Sequence, residues 1–328
     1  MSAVTAAPPT VRLAVNGSLF VVLSRGAGLL ILVVTLAVLS PYFLTWQNAV
    51  NVVRQASIQF LLSAGLTLCV LAGGIDLSVG AVLGLSACLG AAIIVGGDPW
   101  LGALAALAVG AGCGLVNGLM VAYVRIPAFI ATYGMLWIAH GLAYVWMQGE
   151  VIHGFPAAFR VVGAGHIGPV PVPILVMLGV LAVLHVMLRL TRFGRGIYAI
   201  GGNPVAARLS GMPVRRYVLL VYGLSGLLAA FAGLVVIARV NAADAGTGED
   251  LLLASIAAVV LGGTSLFGGH GGVVGTAVGS LILALVLNGM NLLNVKTFWQ
   301  PFVLGSIVIV SVLADQLARG RVGHRSAS

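Results

Sequence analysis

About ten runs of roughly 20 mainly apolar residues follow one another along this chain, and they fix its solvent before they fix its shape. They lie at about 26–44, 52–72, 77–96, 100–124, 127–147, 170–190, 216–238, 251–267, 272–293 and 299–317. Inside a bilayer no water satisfies backbone N–H and C=O groups, so each run must close its own hydrogen bonds as a helix or join a closed barrel. Barrel strands read as alternating segments of roughly 10 residues. These runs are longer, continuous and rich in Gly and Ala, which selects the helix. The expected fold is all-α, a polytopic membrane protein with about ten transmembrane helices. Composition agrees: 60% of residues are hydrophobic and 7% charged, with a mean hydropathy of +1.15, too apolar for a soluble domain with a polar skin. Cys69, Cys88 and Cys113 sit in apolar runs without paired spacing, which points away from disulfides and from a metal site.

An even number of crossings puts both ends on one side. With the N-terminus in the cytosol, the inner connections and adjoining span ends hold Arg12, Arg25, Arg125, Arg189, Arg192, Arg195, Arg208, Arg215, Arg216, Arg319, Arg321 and Arg325, 12 of the 16 Lys and Arg residues. The outer side keeps Arg54, Arg160, Arg239 and Lys296 and takes Asp98, Glu150, Asp244, Glu249 and Asp250. This asymmetry follows the positive-inside rule, so both termini are expected in the cytosol. Residues 1–18 lack the charged start, apolar centre and cleavage site of a signal peptide. The chain therefore reads as a cytosolic tail over 1–25, one transmembrane domain over 26–318 and a second cytosolic tail over 319–328. The net charge of +9 comes from basic residues placed between apolar runs, with no face of interleaved aromatics, so topology accounts for it and no nucleic-acid partner is expected. Two outer segments, 148–169 and 241–250, show little apolar periodicity; they read either as solvated connections or as surfaces for an external partner.

The basic island at 191–216 has helix grammar of its own. Asn203 can cap a helix, Pro204 suits the first helical position, Val205 to Ser210 continue it, Gly211 supplies a left-handed stop and Pro213 prevents resumption. A helix of about two turns is marginal alone in water, so it must be docked on the protein or on a partner.

Four other features carry candidate chemistry. Asp76, in GGIDLSVG at 73–80, is the only acid in the first 97 residues; it either caps the next span and supports a gate or touches a solute directly. GGTSLFGGHGG at 262–272 repeats the Gly–Gly break and is expected on the same side of the membrane as Asp76, because interrupted spans in two halves of a transporter point to its pathway. Asn288 and Asn291 share one helix face and need partners, which are either a polyhydroxylated solute or neighbouring helices. Phe129, Tyr133 and Trp137, spaced by four, form a stripe for packing or for stacking on a sugar ring. Catalysis is disfavoured. The only lysine, Lys296, follows Val295 and so cannot belong to a phosphate-binding Gly-Lys-Ser/Thr loop, and there is no nucleophile elbow and no metal-ligand spacing. Ionisable residues that would couple transport to an ion gradient are almost absent from the spans. The energy source is expected in another subunit.

Several segments together resemble the permease subunits of bacterial ABC importers for monosaccharides, within the branched-chain amino acid and sugar permease superfamily. They are 64–87 around GGIDLSVG, IPAFIATYG at 126–134, 191–214 with YAIGGNPVAARLSG, 256–276 and LNGMNLLNVKTFWQ at 287–300. The resemblance implies a type II ABC importer permease fold that pairs with a second permease chain, with a cytosolic ABC ATPase below and a periplasmic sugar-binding protein above, in the inner membrane. It implies that this chain binds no cofactor, ATP–Mg residing in the ATPase. It carries Asn203, Pro204, Ala206, Ala207, Arg208, Leu209, Ser210 and Gly211 over as the coupling helix. Asp76, Phe129, Asn288 and Asn291 become candidates for the path or gate, and Arg54, Arg160 and Arg239 for contact with the binding protein. The expected solute is ribose-, xylose- or galactose-like; the alternatives are the same fold carrying a signalling furanose, nucleoside or branched-chain amino acid, or a self-contained secondary carrier.

Overall fold

The computed structural model describes residues 30–325, and within them each expected apolar run contains a helix, shorter than the run in several cases. In chain order these are α1 (Leu30–Leu39), α2 (Trp46–Leu71), α3 (Val79–Val95), α4 (Pro99–Leu119), α5 (Ala128–Met147), α7 (Val172–Leu190), α10 (Val214–Val240), α11 (Leu251–Leu261), α12 (Val273–Leu292) and α13 (Gln300–Arg325). Three further helices lie in the connections: α6 (Ala157–Ala164), α8 (Arg192–Gly202) and α9 (Pro204–Leu209). Among the described residues six helices are long and apolar enough to cross a membrane, namely α2, α4 with the π turn Met120–Val124 that extends it, α5, α7, α10 and α12. The other apolar helices are shorter. At 11 residues, α11 rises about 16 Å, roughly half a hydrocarbon core. The run at 251–267 is thus not one helix, as expected from hydropathy, because Gly262 and Gly263 end it and the next six residues turn. At the other extreme α13 stays helical to Arg325, so residues 319–325 of the expected tail continue the last helix.

Burial singles out α2. Its most apolar window is 83% buried, against 17% for α7, and it packs on α10, α12, α11 and α7. It is the axis of the bundle. α10 is its main partner and also presses on α4 and α3. The α4–α10 contact is made by small residues: a Cβ on Gly226 would stand 2.1 Å from the carbonyl oxygen of Gly110. Without a hydrophobic driving force between helices in lipid, such backbone-to-backbone approach is what holds them together.

Segments 148–169 and 241–250 are more structured than their composition led us to expect. α6 buries Phe159 and Gly163, and α6 packs on α10 and α7. Two short antiparallel pairs join them to the bundle: β1 (Ile152–His153) with β4 (Ala242–Ala243), and β2 (His166–Ile167) with β3 (Val170–Pro171). Segments 148–169 and 241–250 therefore form one cap at one end of the bundle, stitched further by the Phe155 N–H donating to Asn241 Oδ1 at 3.1 Å.

Candidate functional site

The island at 191–216 folds as two capped helices in succession. Thr191 caps α8, its hydroxyl accepting from the Gly194 N–H at 3.1 Å. Asn203 caps α9, its Oδ1 accepting from the Val205 N–H at 3.1 Å and the Ala206 N–H at 2.9 Å. Pro204 follows at the first helical position. The helix ends as its sequence dictates. Ser210 Oγ donates to the Ala206 carbonyl at 2.9 Å, and Gly211 turns left-handed at φ 80°. Only one side of α9 is anchored: Ala207, 5% exposed, packs with Ile200 and Val214. Val205 and Leu209, 66% and 84% exposed, point away with Ala206 and Arg208. The expected contact set therefore divides. Asn203, Pro204, Ala207, Ser210 and Gly211 shape and hold the helix, while Ala206, Arg208 and Leu209 form its outward face. Ala207, which the resemblance placed in the coupling helix, faces the protein and not outward. Val205 is the outward residue that sequence reasoning passed over; its position two residues before Ala207, roughly opposite on a helical wheel, was the available signal.

Beneath α9 the two Gly–Gly breaks meet. The Gly269 N–H donates to the carbonyl of Leu71, the last residue of α2, at 3.0 Å. A Cβ on Gly201, near the end of α8, would stand 1.9 Å from that same carbonyl and 2.6 Å from Gly269 N. Tyr198 of α8 adds a hydrogen bond from its hydroxyl to the Gly271 carbonyl at 2.9 Å. The breaks at 73–80 and 262–272 thus share one end of the bundle, as expected, and α8 touches both. α8 thus meets the end of α2 and the turn between α11 and α12, chiefly through backbone at Gly201.

Asp76 lies just inside this junction and is 1% exposed. Its Oδ1 accepts from the Ser78 N–H at 3.0 Å and the Ser78 hydroxyl at 2.6 Å, and its Oδ2 accepts from the Ser225 hydroxyl on α10 at 2.9 Å. Asn117 of α4 donates to Ser78 Oγ at 2.9 Å. The Tyr222 hydroxyl of α10 donates to the neighbouring Ile75 carbonyl at 3.2 Å. The carboxylate therefore closes the turn into α3 and ties it to α10, with α4 joined one bond away. Its role as helix cap is shared: Ser78 occupies the cap position, and Asp76 acts on it from two residues before.

Asn288 and Asn291 diverge. Asn288, buried, exchanges two hydrogen bonds with Asn48 of α2, at 2.8 and 3.1 Å. Asn291 is exposed and accepts from Gln300 Nε2 at 3.0 Å. The Asn48–Asn288 pair begins a polar seam that sequence reasoning missed. It continues through Gln59, donating to Ser255 Oγ of α11 at 2.8 Å, and through the Thr67–Thr276 hydroxyl pair at 2.7 Å. Asn48 Nδ2 also donates to the Phe43 carbonyl at 2.9 Å, so Asn288→Leu is expected to leave only Asn48 Oδ1 without its donor and lower stability by about 0.6–2 kcal/mol. Asn48→Leu/Asn288→Leu should restore most of that loss in a melting measurement on the purified protein. Strict additivity of the two single losses would mean that the pair does not form.

The α5 stripe is longer than expected and faces outward. Phe129 stacks on Tyr133 with centroids 5.9 Å apart, and the ladder continues through Trp137, His140 and Tyr144. His140 Nδ1 lies 3.3 Å from a carboxylate oxygen of Glu249. At the capped end, Arg54 donates to Asn51 Oδ1 at 3.0 Å and lines an open cleft of about 780 Å³ with Tyr42, Trp46, Asn48 and His166. The Nε atoms of Arg54 and Arg160 are buried and have no hydrogen-bond partner among the described residues. Arg54, beside His166, and Arg239, whose backbone lies against Gly163 of α6, both sit toward the capped end, opposite α9.

The described residues form a bundle of broken helices around one buried span, with polar side chains paired across its helix seams. Residues 48–312 match the family model for the permease component of branched-chain amino acid transport systems, and the chain belongs to that family of multi-pass membrane transport subunits, which are not enzymes. Within the family it is 43% identical over 292 residues to the ribose import permease protein RbsC of Bacillus subtilis, an alignment covering 88% of this chain and 91% of that one. It is 37% identical over 292 residues to the D-allose transport system permease protein AlsC of Escherichia coli, covering 88% and 90%. To the galactose/methyl galactoside import permease protein MglC of Escherichia coli it is 33% identical over 322 residues, covering 91% and 96%. No solved structure matches the chain.

Proposed function

We propose that this chain is the membrane permease subunit of an ATP-driven importer and forms the path for a monosaccharide of ribose, xylose or galactose type. The solute is handed over by a periplasmic binding protein at the capped end, and both termini lie in the cytosol with α9. The observation that carries the reading is the pairing of 43% identity to a ribose import permease with a short helix whose one side is anchored and whose other side is displayed. α9 is the coupling helix: Val205, Ala206, Arg208 and Leu209 enter a cleft in the ATPase subunit. Closure of two ATP-bound ATPase domains moves α8–α9, and the contacts of α8 with both Gly–Gly breaks pass that motion to the spans. ATP–Mg belongs to that partner, and a second permease chain completes the path. At the other end the half-buried Arg54, Arg160 and Arg239 offer guanidinium groups to acidic side chains of the binding protein, a pairing that arginine's fixed fork favours.

The test is uptake of labelled ribose, xylose and galactose by cells carrying the complete transporter. Arg208→Glu, a reversal on the displayed face of α9, is expected to reduce uptake to near background and to weaken co-purification of the ATPase, while the permease remains in the membrane. Normal uptake with normal ATPase association would sink the coupling role. Uptake of none of the three sugars by the wild-type transporter would sink the substrate class.

A further inference from the structure

Beside the root of α9 lies a groove of about 280 Å³, bounded by the π turn after α4, by α9 and by the first turn of α10. Three arginines line it: Arg125, Arg208 and Arg215. Each is held differently. Arg125 directly follows the π turn and is left-handed, φ 68°, which aims the chain back before Pro127 begins α5. Arg215 stands over the ring of Tyr123, its guanidinium carbon 5.8 Å from the centroid. Arg208 projects from the exposed side of α9. Among the described residues no carboxylate pairs with any of them, the sole ion pair being His140–Glu249. Asp76 is spent on Ser78 and Ser225, and Asp98 caps α4. Glu150, Asp244, Glu249 and Asp250 lie in the cap that holds the β1–β4 pair, at the other end from α9, and the seventh acid, Asp315, is on α13, which packs on α11 and contributes no residue to the lining of the groove. The three guanidinium groups are exposed and share one groove, and like charges brought together repel, so the groove favours an anion from outside the chain.

The remaining walls say which anion. Val121, Ala122, Val214 and Val218 line the groove between the arginines. Val121 and Ala122 continue onto Leu115, Val116, Leu119 and Val124, which are exposed along α4 and its π turn. The site therefore joins a phosphate-binding fork to an apolar track running along a span. A soluble anion needs only the fork, and an acidic protein side chain has no use for the track. We propose that this groove binds an anionic phospholipid of the cytoplasmic leaflet, its phosphodiester held by Arg125 and Arg215 with Arg208 at the rim, and its acyl chains lying along α4. The choice of leaflet rests on the orientation proposed above; binding itself does not. A lipid there would fix the foot of the coupling helix to the membrane surface and make coupling sensitive to anionic lipid content.

The experiment uses the purified full-length chain alone in nanodiscs of phosphatidylcholine doped with phosphatidylglycerol, with retained lipid read by native mass spectrometry. The wild-type chain is expected to retain phosphatidylglycerol over phosphatidylcholine, and Arg125→Gln/Arg215→Gln to lower that retention about tenfold or more. Arg125→Lys/Arg215→Lys should keep part of it, since charge survives while the fork is lost. Equal retention by wild type and the glutamine variant overturns the proposal, as does displacement of the lipid by millimolar inorganic phosphate, which would make the occupant a soluble anion. Arg208 is left intact in these variants, so a failure of the coupling role, read by Arg208→Glu, stays distinguishable from a failure of lipid binding.

Discussion

Gly201→Ala is expected to abolish transport while its neighbour Gly202→Ala leaves it intact. The new methyl carbon at 201 would lie 1.9 Å from the Leu71 carbonyl oxygen and 2.6 Å from Gly269 N, whereas one at 202 meets nothing within 4 Å. Both obstacles at 201 are backbone, so no side chain can swing aside. Either the end of α8 lifts or the 262–272 turn separates from α2, breaking the 3.0 Å bond from Gly269 N–H to Leu71. Overpacking of this kind costs about 1–3 kcal/mol, and the lost hydrogen bond adds about 1 more. Gly202→Ala should stay within about 0.5 kcal/mol of wild type, because it adds a methyl group to open space at the end of a helix. Sugar uptake and thermal melting of the purified permease measure the pair. Similar behaviour of the two variants would mean that α8 does not ride on the breaks, and with it the proposed route from α9 to the spans would fall.

The bundle was legible in the chain because lipid imposes a coarse rule: a crossing needs about 20 apolar residues, and hydropathy reads that directly. α9 was legible for a different reason, since Asn203, Pro204 and Gly211 each perform a local act that needs no distant partner. What escaped reading depends on partners far off in sequence. Asn48 and Asn288 are 240 residues apart and Gln59 and Ser255 are 196 apart, and no periodicity in either segment announces the other. The early end of α11 escaped because Leu266 and Phe267 keep the run apolar after the glycines have already ended the helix. α6 escaped because eight residues give too short a window for a 3.6-residue period to stand out, and its stability comes from resting on α10 and α7. The division of α9 into an anchored and a displayed side followed only once Ala207 was seen against Ile200 and Val214.

Asp76 offers the sharpest separation of a structural role from a transport role. Asp76→Leu removes the acceptor for the Ser78 N–H, the Ser78 hydroxyl and the Ser225 hydroxyl, now at 3.0, 2.6 and 2.9 Å. The two hydroxyls can turn toward other acceptors, but the buried N–H at the start of α3 cannot, and α10 loses its tie to the turn. A loss of roughly 3–5 kcal/mol is expected, enough to deplete the folded protein from the membrane. Asp76→Asn keeps an oxygen toward Ser78 and places an amide against Ser225 Oγ, which can rotate to accept from it, so the expected cost is only about 1 kcal/mol. If the carboxylate is a tie, uptake should track folded protein: largely kept in Asp76→Asn, lost in Asp76→Leu. If it touches the solute, Asp76→Asn should melt near wild type yet carry nothing. Ser225→Ala separates the two further, because combining it with Asp76→Asn should cost less than the sum of the single losses by about 0.5 kcal/mol or more when the two side chains share one bond. Full additivity would show that the tie between α10 and the first break is not made. The path from α9 to the spans would then run through the glycine contacts alone.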